Sequence, residues 1–317
     1  MSDTATMPNY RRLSDAEFRR RVDRLRDRYG ECDLCAHACG VDRTAGELGR
    51  CRADDTPVVS SAFPHRGEEA PLSGQRGSGT IFLSWCNLRC VFCQNYEISQ
   101  EGIGREVTPE EIAEMALSLQ LNGCHNVNFV TPTHFAPDLA EAVMIAKERG
   151  LEIPIVWNCG GYERAETVEL LEGIVDVYMP DVKWADDEAA ARYSGAPDYW
   201  KNARASLREM HRQVGDLRLE NGLAVEGMLV RHLVMPNHVE SSKQVLTYIA
   251  EKLSTETYVN LMSQYRPAYR ASEPGQYDDL SRGVTPEEYH EVVSHGRELG
   301  LSRLEVDERL LGERSWL

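Results

Sequence analysis

Three cysteines inside eight residues constrain this chain more than any other feature. The stretch FLSWCNLRCVFCQNYE carries Cys86, Cys90 and Cys93. Thiolates spaced this closely on a short loop can fold around one compact object, and they favour soft partners such as zinc and iron–sulfur clusters. Three protein ligands leave one coordination position open, the arrangement of a reactive metal rather than a structural one. Trp85, Leu88, Val91 and Phe92 put apolar side chains around the sulfurs. Such a shell excludes water and tunes a cluster's potential. The competing reading is a structural zinc knuckle that borrows a fourth ligand such as Cys124. Zinc knuckles, however, usually come as paired two-residue spacings.

A second group precedes the first. Cys32-x2-Cys35-x3-Cys39-x11-Cys51 supplies four thiolates, enough to complete a zinc site or an iron–sulfur cluster equally well. The chain has nine cysteines, an odd number, and seven of them fall in these two groups. In a cytosolic chain such grouping reads as metal ligation rather than as disulfides. Residues 31–75 are otherwise rich in Cys, Gly, Asp and Pro with little periodicity. They are expected to be loop-dominated and held by their thiolates. Ser14 with Glu17 resembles a capping box and opens an amphipathic helix to about Arg28. Residues 1–75 are therefore expected to form a helix plus a four-cysteine metal module, and residues 76–317 a second unit. Cys124 and Cys159 read as buried free thiols, with Cys159 keeping some chance of a substrate role.

From residue 80 the pattern changes. Six short apolar runs recur, at 80–84, 126–131, 153–157, 175–179, 229–235 and 257–262. Helical stretches at 109–121, 137–149, 164–172, 197–214 and 241–252 separate them, and 285–299 follows the last. Alternating strands and helices predict a parallel sheet with right-handed crossovers, mostly apolar on both faces. The expected fold is α/β, a partial (β/α)6 TIM-like barrel with an N-terminal Cys-rich module. Ligands of such folds sit at the carboxyl ends of the strands. The residues that follow each run become candidates on that ground, Thr131, Thr133, His134, Asn158, Asp181, Lys183 and His238 among them.

Composition narrows the partners. Net charge is −16 and the pI is near 5.1, so a phosphate backbone is repelled and nucleic acid is not expected. Five lysines against thirty arginines would suit a high-salt cytoplasm, and GC-rich coding would give the same bias. No apolar run approaches membrane length and no secretory h-region opens the chain, so a cytoplasmic protein with no membrane partner is expected.

The three-cysteine loop, with aromatic Phe92 just before its last cysteine, resembles the signature of the radical S-adenosylmethionine (radical SAM) superfamily. The segments GSGTIFLSWCNLRCVFCQNYEIS, NFVTPTHF, NCGGYE, VYMPDVKW, VRHLVMP and NLMSQYRP, in that order, look like a subfamily related to pyruvate formate-lyase-activating enzyme. The resemblance implies a [4Fe–4S] cluster on Cys86, Cys90 and Cys93, with S-adenosylmethionine on the remaining iron. It further implies reductive cleavage to a 5′-deoxyadenosyl radical, hydrogen abstraction from a substrate such as a glycyl radical enzyme, and a reductant such as flavodoxin or ferredoxin. Phe92, Thr131, Thr133, His134, Asn158 and Arg231 become candidate cofactor contacts, and Asp181 and Lys183 catalytic candidates. Many members carry a Gly-Gly-Glu-Pro-like turn after the second strand; here that position reads Thr131-Pro132-Thr133-His134. The different class of function is a non-catalytic redox module that uses both thiolate groups for electron transfer.

Overall fold

The computed structural model describes residues 7–312. Ten strands organise it: β1 (Val58–His65), β2 (Ser78–Leu83), β3 (Arg105–Glu106), β4 (Val127–Val130), β5 (Ile155–Cys159), β6 (Val177–Pro180), β7 (Arg218–Glu220), β8 (Leu223–Leu233), β9 (Tyr258–Met262) and β10 (Leu304–Glu305). Seven run parallel in the spatial order β2-β4-β5-β6-β8-β9-β10. The path ends at β10 on one side and at β3 on the other, so the sheet is a partial, open barrel. The six runs read from sequence coincide with β2, β4, β5, β6, β8 and β9.

Period-two alternation explains what each strand shows to either side. On β5, Ile155 and Trp157 join the large core beneath the surrounding helices. Val156 instead joins a smaller cluster with Val177, Met179 and Leu229. Asn158 follows Val156 on that inner face, and Arg231 follows Leu229, so two polar groups are carried inward at the strand ends.

The helices lie where their signals put them. Pro109–Leu121 and Pro286–Glu298 both open on complete capping boxes, Thr108 with Glu111 and Thr285 with Glu288. At Asp15–Asp27 only half of the expected box forms: Ser14 accepts from the Glu17 N–H, while the Glu17 carboxylate turns to Arg20 and Arg21. A helix at Asp187–Ser194, capped by Asp186, had no strong apolar stripe to announce it. No helix of the described residues is long and apolar enough to cross a membrane.

Residues 31–75 depart from the loop-dominated expectation. β1 is an eight-residue strand, antiparallel to β2 and carrying β3 on its other side. Pro64 and the polar SSA interior disguise it, since Pro argues against a strand except where ladder bonds can be spared. The N-terminal helix buries Phe18, Val22 and Leu25 in the same core as β4 and β5.

Candidate active site

β2 ends at Leu83, and the chain turns sharply at Trp85, whose φ of 66° is left-handed. That region disfavours a bulky residue, so tertiary contacts must hold it. Gly102 makes room: a Cβ there would lie 2.2 Å from the Trp85 ring. The turn throws the three-cysteine loop across the carboxyl ends of the parallel strands. Backbone bonds of 2.8 Å from Arg89 N to Ser194 O and from Val91 N to Tyr193 O fix its far side. Ser194 Oγ lies 3.3 Å from Cys90 Sγ and accepts from Trp184 Nε1 at 2.9 Å.

A cavity of about 310 Å³ opens beside this loop. Cys86, Cys90, Cys93 and Phe92 form one wall. Asn158, Asp181, Lys183 and Arg231, from the ends of three strands, form the other. Lys183 Nζ is 2.7 Å from Asp181 Oδ2, and Arg231 Nη2 is 3.0 Å from Asn158 Oδ1 and 3.7 Å from Asp181 Oδ2. Burial alone would raise the Asp181 carboxyl; Lys183 and Arg231 outweigh it and hold the group below the usual carboxylate range. Asp181 Oδ1 and Arg231 Nε are buried without a hydrogen-bond partner, so the charged wall has spare hydrogen-bonding capacity. Burial pushes the Cys86 thiol up and takes Cys90 to about 11, with the Lys183 ammonium opposing in both cases. Metal binding would reverse that, because a ligating thiol is deprotonated outright.

Of the candidates read from sequence, Thr131 also reaches the cavity, again from a left-handed backbone at φ 59°. Thr133 and His134 do not line it. Thr133 donates to the buried Glu163 carboxylate at 2.8 Å, and His134 Nε2 lies 2.8 Å from the Ser84 carbonyl behind the loop. Both fall on the 3-10 turn Thr133–Phe135 that follows β4. His238 packs its ring on Trp184 and Tyr193, outside the cavity. Cys159 does line it.

Sequence reasoning missed several contributors. Ser194 supports Cys90 from a helix that carried no motif. Glu68 and Glu69 sit 3.8 and 3.9 Å from Arg231 Nη1, supplied by part of the 31–75 stretch that was expected to be loop-dominated. Arg266, beyond β9, contributes to the cavity rim.

In the second group Cys32, Cys35 and Cys51 are buried and Cys39 is exposed. Burial raises the Cys51 thiol, and the nearby Arg43 guanidinium counters it. Arg43 is fully buried, 3.9 Å from Cys32 Sγ and 4.3 Å above the Tyr29 ring. Among the described residues no group of three or more His, Cys, Asp or Glu side chains converges closely enough to hold a single metal ion. The donor set of the loop, three cavity-facing thiols beside a cationic residue and an apolar aromatic, suits an iron–sulfur cluster, whose cysteines each bind a separate iron.

A family model described as the radical SAM superfamily matches residues 80–246, a span that runs from β2 past Arg231. Two uncharacterized proteins of Methanocaldococcus jannaschii are similar. MJ0674 is 33% identical over 283 residues, covering 86% of this chain and 76% of that one. MJ0808 is 26% identical over 220 residues, covering 66% and 60%. Among solved structures, HydG, a maturase of the [FeFe]-hydrogenase, superposes with a TM-score of 0.49 at 10% identity over 95% of this chain and 66% of that one. More than half of the chain falls inside the matched family span, and that span contains the cysteine loop and the strand ends that face it. The chain belongs to the radical SAM superfamily.

Proposed function

We propose that the cavity is the active site of a radical SAM oxidoreductase, with a [4Fe–4S] cluster held by Cys86, Cys90 and Cys93. The observation that carries this reading is that all three cysteines open onto the same cavity as the Asp181–Lys183–Arg231 wall. When bound, the cluster supplies one electron for cleavage of S-adenosylmethionine to methionine and a 5′-deoxyadenosyl radical. The chain's own residues bind, orient and shield. Three cysteine ligands would leave one position of the cluster open to the sulfonium cofactor. Lys183 and Arg231 offer positive charge to a carboxylate, and Asp181 offers negative charge to an ammonium. Thr131 and Asn158 add hydrogen-bonding groups at the strand ends. Phe92 and Tyr265, in edge contact at 5.9 Å, close the apolar side against water.

The finer reading, that the substrate is a glycyl radical enzyme, rests on the resemblance of the six ordered segments from GSGTIFLSWCNLRCVFCQNYEIS to NLMSQYRP, with the Asp181–Lys183 pair among them. The four-cysteine group is proposed to hold a second metal, zinc or an auxiliary iron–sulfur cluster, within an N-terminal module of residues 1–75.

Anaerobic reconstitution tests this. With dithionite and S-adenosylmethionine the protein releases 5′-deoxyadenosine. Cys90→Ala abolishes that release and removes about four irons. A non-catalytic electron carrier would release none. Iron, sulfide and zinc analysis of the same material distinguishes one cluster plus zinc from two clusters. A glycyl radical signal on a co-incubated partner tests the activase reading.

A further inference from the structure

Three arginines crowd the surface where the two cysteine groups meet. Arg50 and Arg52 flank Cys51 and are exposed, and Arg89 lies between Cys86 and Cys90. Arg89 Nη2 donates to the Arg50 carbonyl at 3.1 Å. The Arg50 guanidinium and the Arg89 stem both overhang Gly195: a Cβ there would lie 3.0 Å from Arg50 Nη2 and 3.3 Å from Arg89 Cβ. Arg52 occupies a left-handed backbone position at φ 66°, where glycine would cost least, yet the residue is a cation. Burial and the repulsion of Arg52 and Arg50 lower the pKa of Arg89.

Many arginines elsewhere on this acidic chain are paired with carboxylates. Arg21, Arg105, Arg212 and Arg282 each hold a carboxylate. Among the described residues no carboxylate forms an ion pair with Arg50, Arg52 or Arg89. Like charges brought together without counter-charges are a cost to the free protein, repaid where an anionic surface docks. A net charge of −16 would otherwise repel any acidic partner, so a local cationic face sets where such a partner can approach.

We propose that the Arg50–Arg52–Arg89 face is the docking surface for an acidic one-electron donor protein. The proposal rests on the radical SAM reading of the cysteine loop. Docked there, the donor covers Cys51 of the second group and the outer side of the loop that carries Cys86 and Cys90. The donor is oxidised by one electron and the loop's cluster is reduced by one; no proton need move.

The test uses reconstituted holoprotein with a flavodoxin as the probe, in wild type and in the Arg50→Glu/Arg52→Glu double variant. Direct binding is titrated at low and high salt, and 5′-deoxyadenosine release is driven either by flavodoxin hydroquinone or by dithionite. Wild-type binding weakens at least about tenfold between low and high ionic strength. The variant loses about tenfold or more in affinity and in flavodoxin-driven rate, and keeps its dithionite-driven rate. The Arg50→Gln/Arg52→Gln variant falls between, which separates charge from misfolding. Unchanged binding and unchanged flavodoxin-driven rate in the charge-reversed variant overturn the docking surface while the catalytic reading stands. Loss of dithionite-driven release in wild type overturns the catalytic reading and the docking surface with it. Arg50-dependent binding of a transfer RNA, with no flavodoxin binding, assigns the face to nucleic acid instead.

Discussion

His37 and Asn87 join the two cysteine groups directly. His37 lies between Cys35 and Cys39, Asn87 between Cys86 and Cys90, and His37 Nε2 is 2.9 Å from the Asn87 carbonyl oxygen. Tyr162 braces the joint, its ring 4.9 Å from the His37 ring and its carbonyl accepting from Asn87 Nδ2 at 2.9 Å. Burial lowers the His37 pKa, with Arg50 and Arg89 nearby adding to it, so the ring is neutral at pH 7 and donates through Nε2–H. The N-terminal segment thus buttresses the loop from outside the barrel.

His37→Ala removes that bond and an aromatic edge contact. A cost of about 1–2 kcal/mol is expected, seen as a lower Tm of the apoprotein. The variant also retains less iron at the three-cysteine site after gel filtration, because the loop loses its outer support. Iron retention equal to wild type at a lowered Tm would show the joint to be structural only.

Ser194 tunes Cys90. Its hydroxyl accepts from Trp184 Nε1, so its own hydrogen is free for the Cys90 sulfur 3.3 Å away. A hydrogen bond to a cluster thiolate stabilises the reduced, more negative state. Ser194→Ala should shift the cluster's reduction potential downward by roughly 40 mV, taking about 1 kcal/mol for the bond and 59 mV per tenfold for one electron. An electron paramagnetic resonance redox titration measures it, and an upward shift would contradict the assigned direction of the bond.

Asp181 balances two cations and Lys183 only one anion. Lys183 Nζ is 2.7 Å and Arg231 Nη2 3.7 Å from Asp181 Oδ2. Asp181→Asn leaves two part-buried cations short of charge, whereas Lys183→Met leaves Asp181 with Arg231. Stranding a charge costs about 3–5 kcal/mol where it is fully buried and less at this part-buried wall, so Asp181→Asn should lower the urea midpoint more than Lys183→Met. Both are expected to depress 5′-deoxyadenosine release. The reverse order of midpoints would mean that Arg231 is balanced by Glu68 and Glu69 alone.

Much of this arrangement was legible in the chain. The parallel strands announced themselves because buried strands must be apolar on both faces, and Asn158, Asp181 and Lys183 fell at their ends by chain order. Thr133 and His134 sat equally well at a strand end in sequence, but a 3-10 turn two residues past β4 sends them behind the loop. Only a tertiary fact, the left-handed Thr131, decides which of the three faces the cavity. β1 hid behind Pro64, and Glu68 and Glu69 behind a segment without periodicity, because a long-range partner such as Arg231 leaves no mark at either end of the sequence. The two cysteine groups were conspicuous, yet their joint at His37 was not: a single histidine among cysteines carries no spacing to read.

His134 makes the final prediction, on pH. Burial, opposed by the Ser84 carbonyl and reinforced by Arg43, lowers its pKa from 6.5 to about 3. The folded state therefore keeps His134 neutral where the unfolded chain takes up a proton, and this contribution to stability is lost as pH falls from 6.5 toward 3. Asp138 works in the opposite sense, since burial raises its carboxyl from 3.8 to about 6 and its contribution fades as pH rises through that value. The wild-type profile mixes the two, so the variant difference is the informative quantity. In His134→Gln the amide can still donate to Ser84 O and does not titrate. Between pH 8 and pH 5 the wild type should lose about 2 kcal/mol relative to this variant, at 1.36 kcal/mol per pH unit below 6.5. Urea unfolding at the two pH values measures the difference, and a gap that stays constant with pH would mean His134 titrates alike in both states.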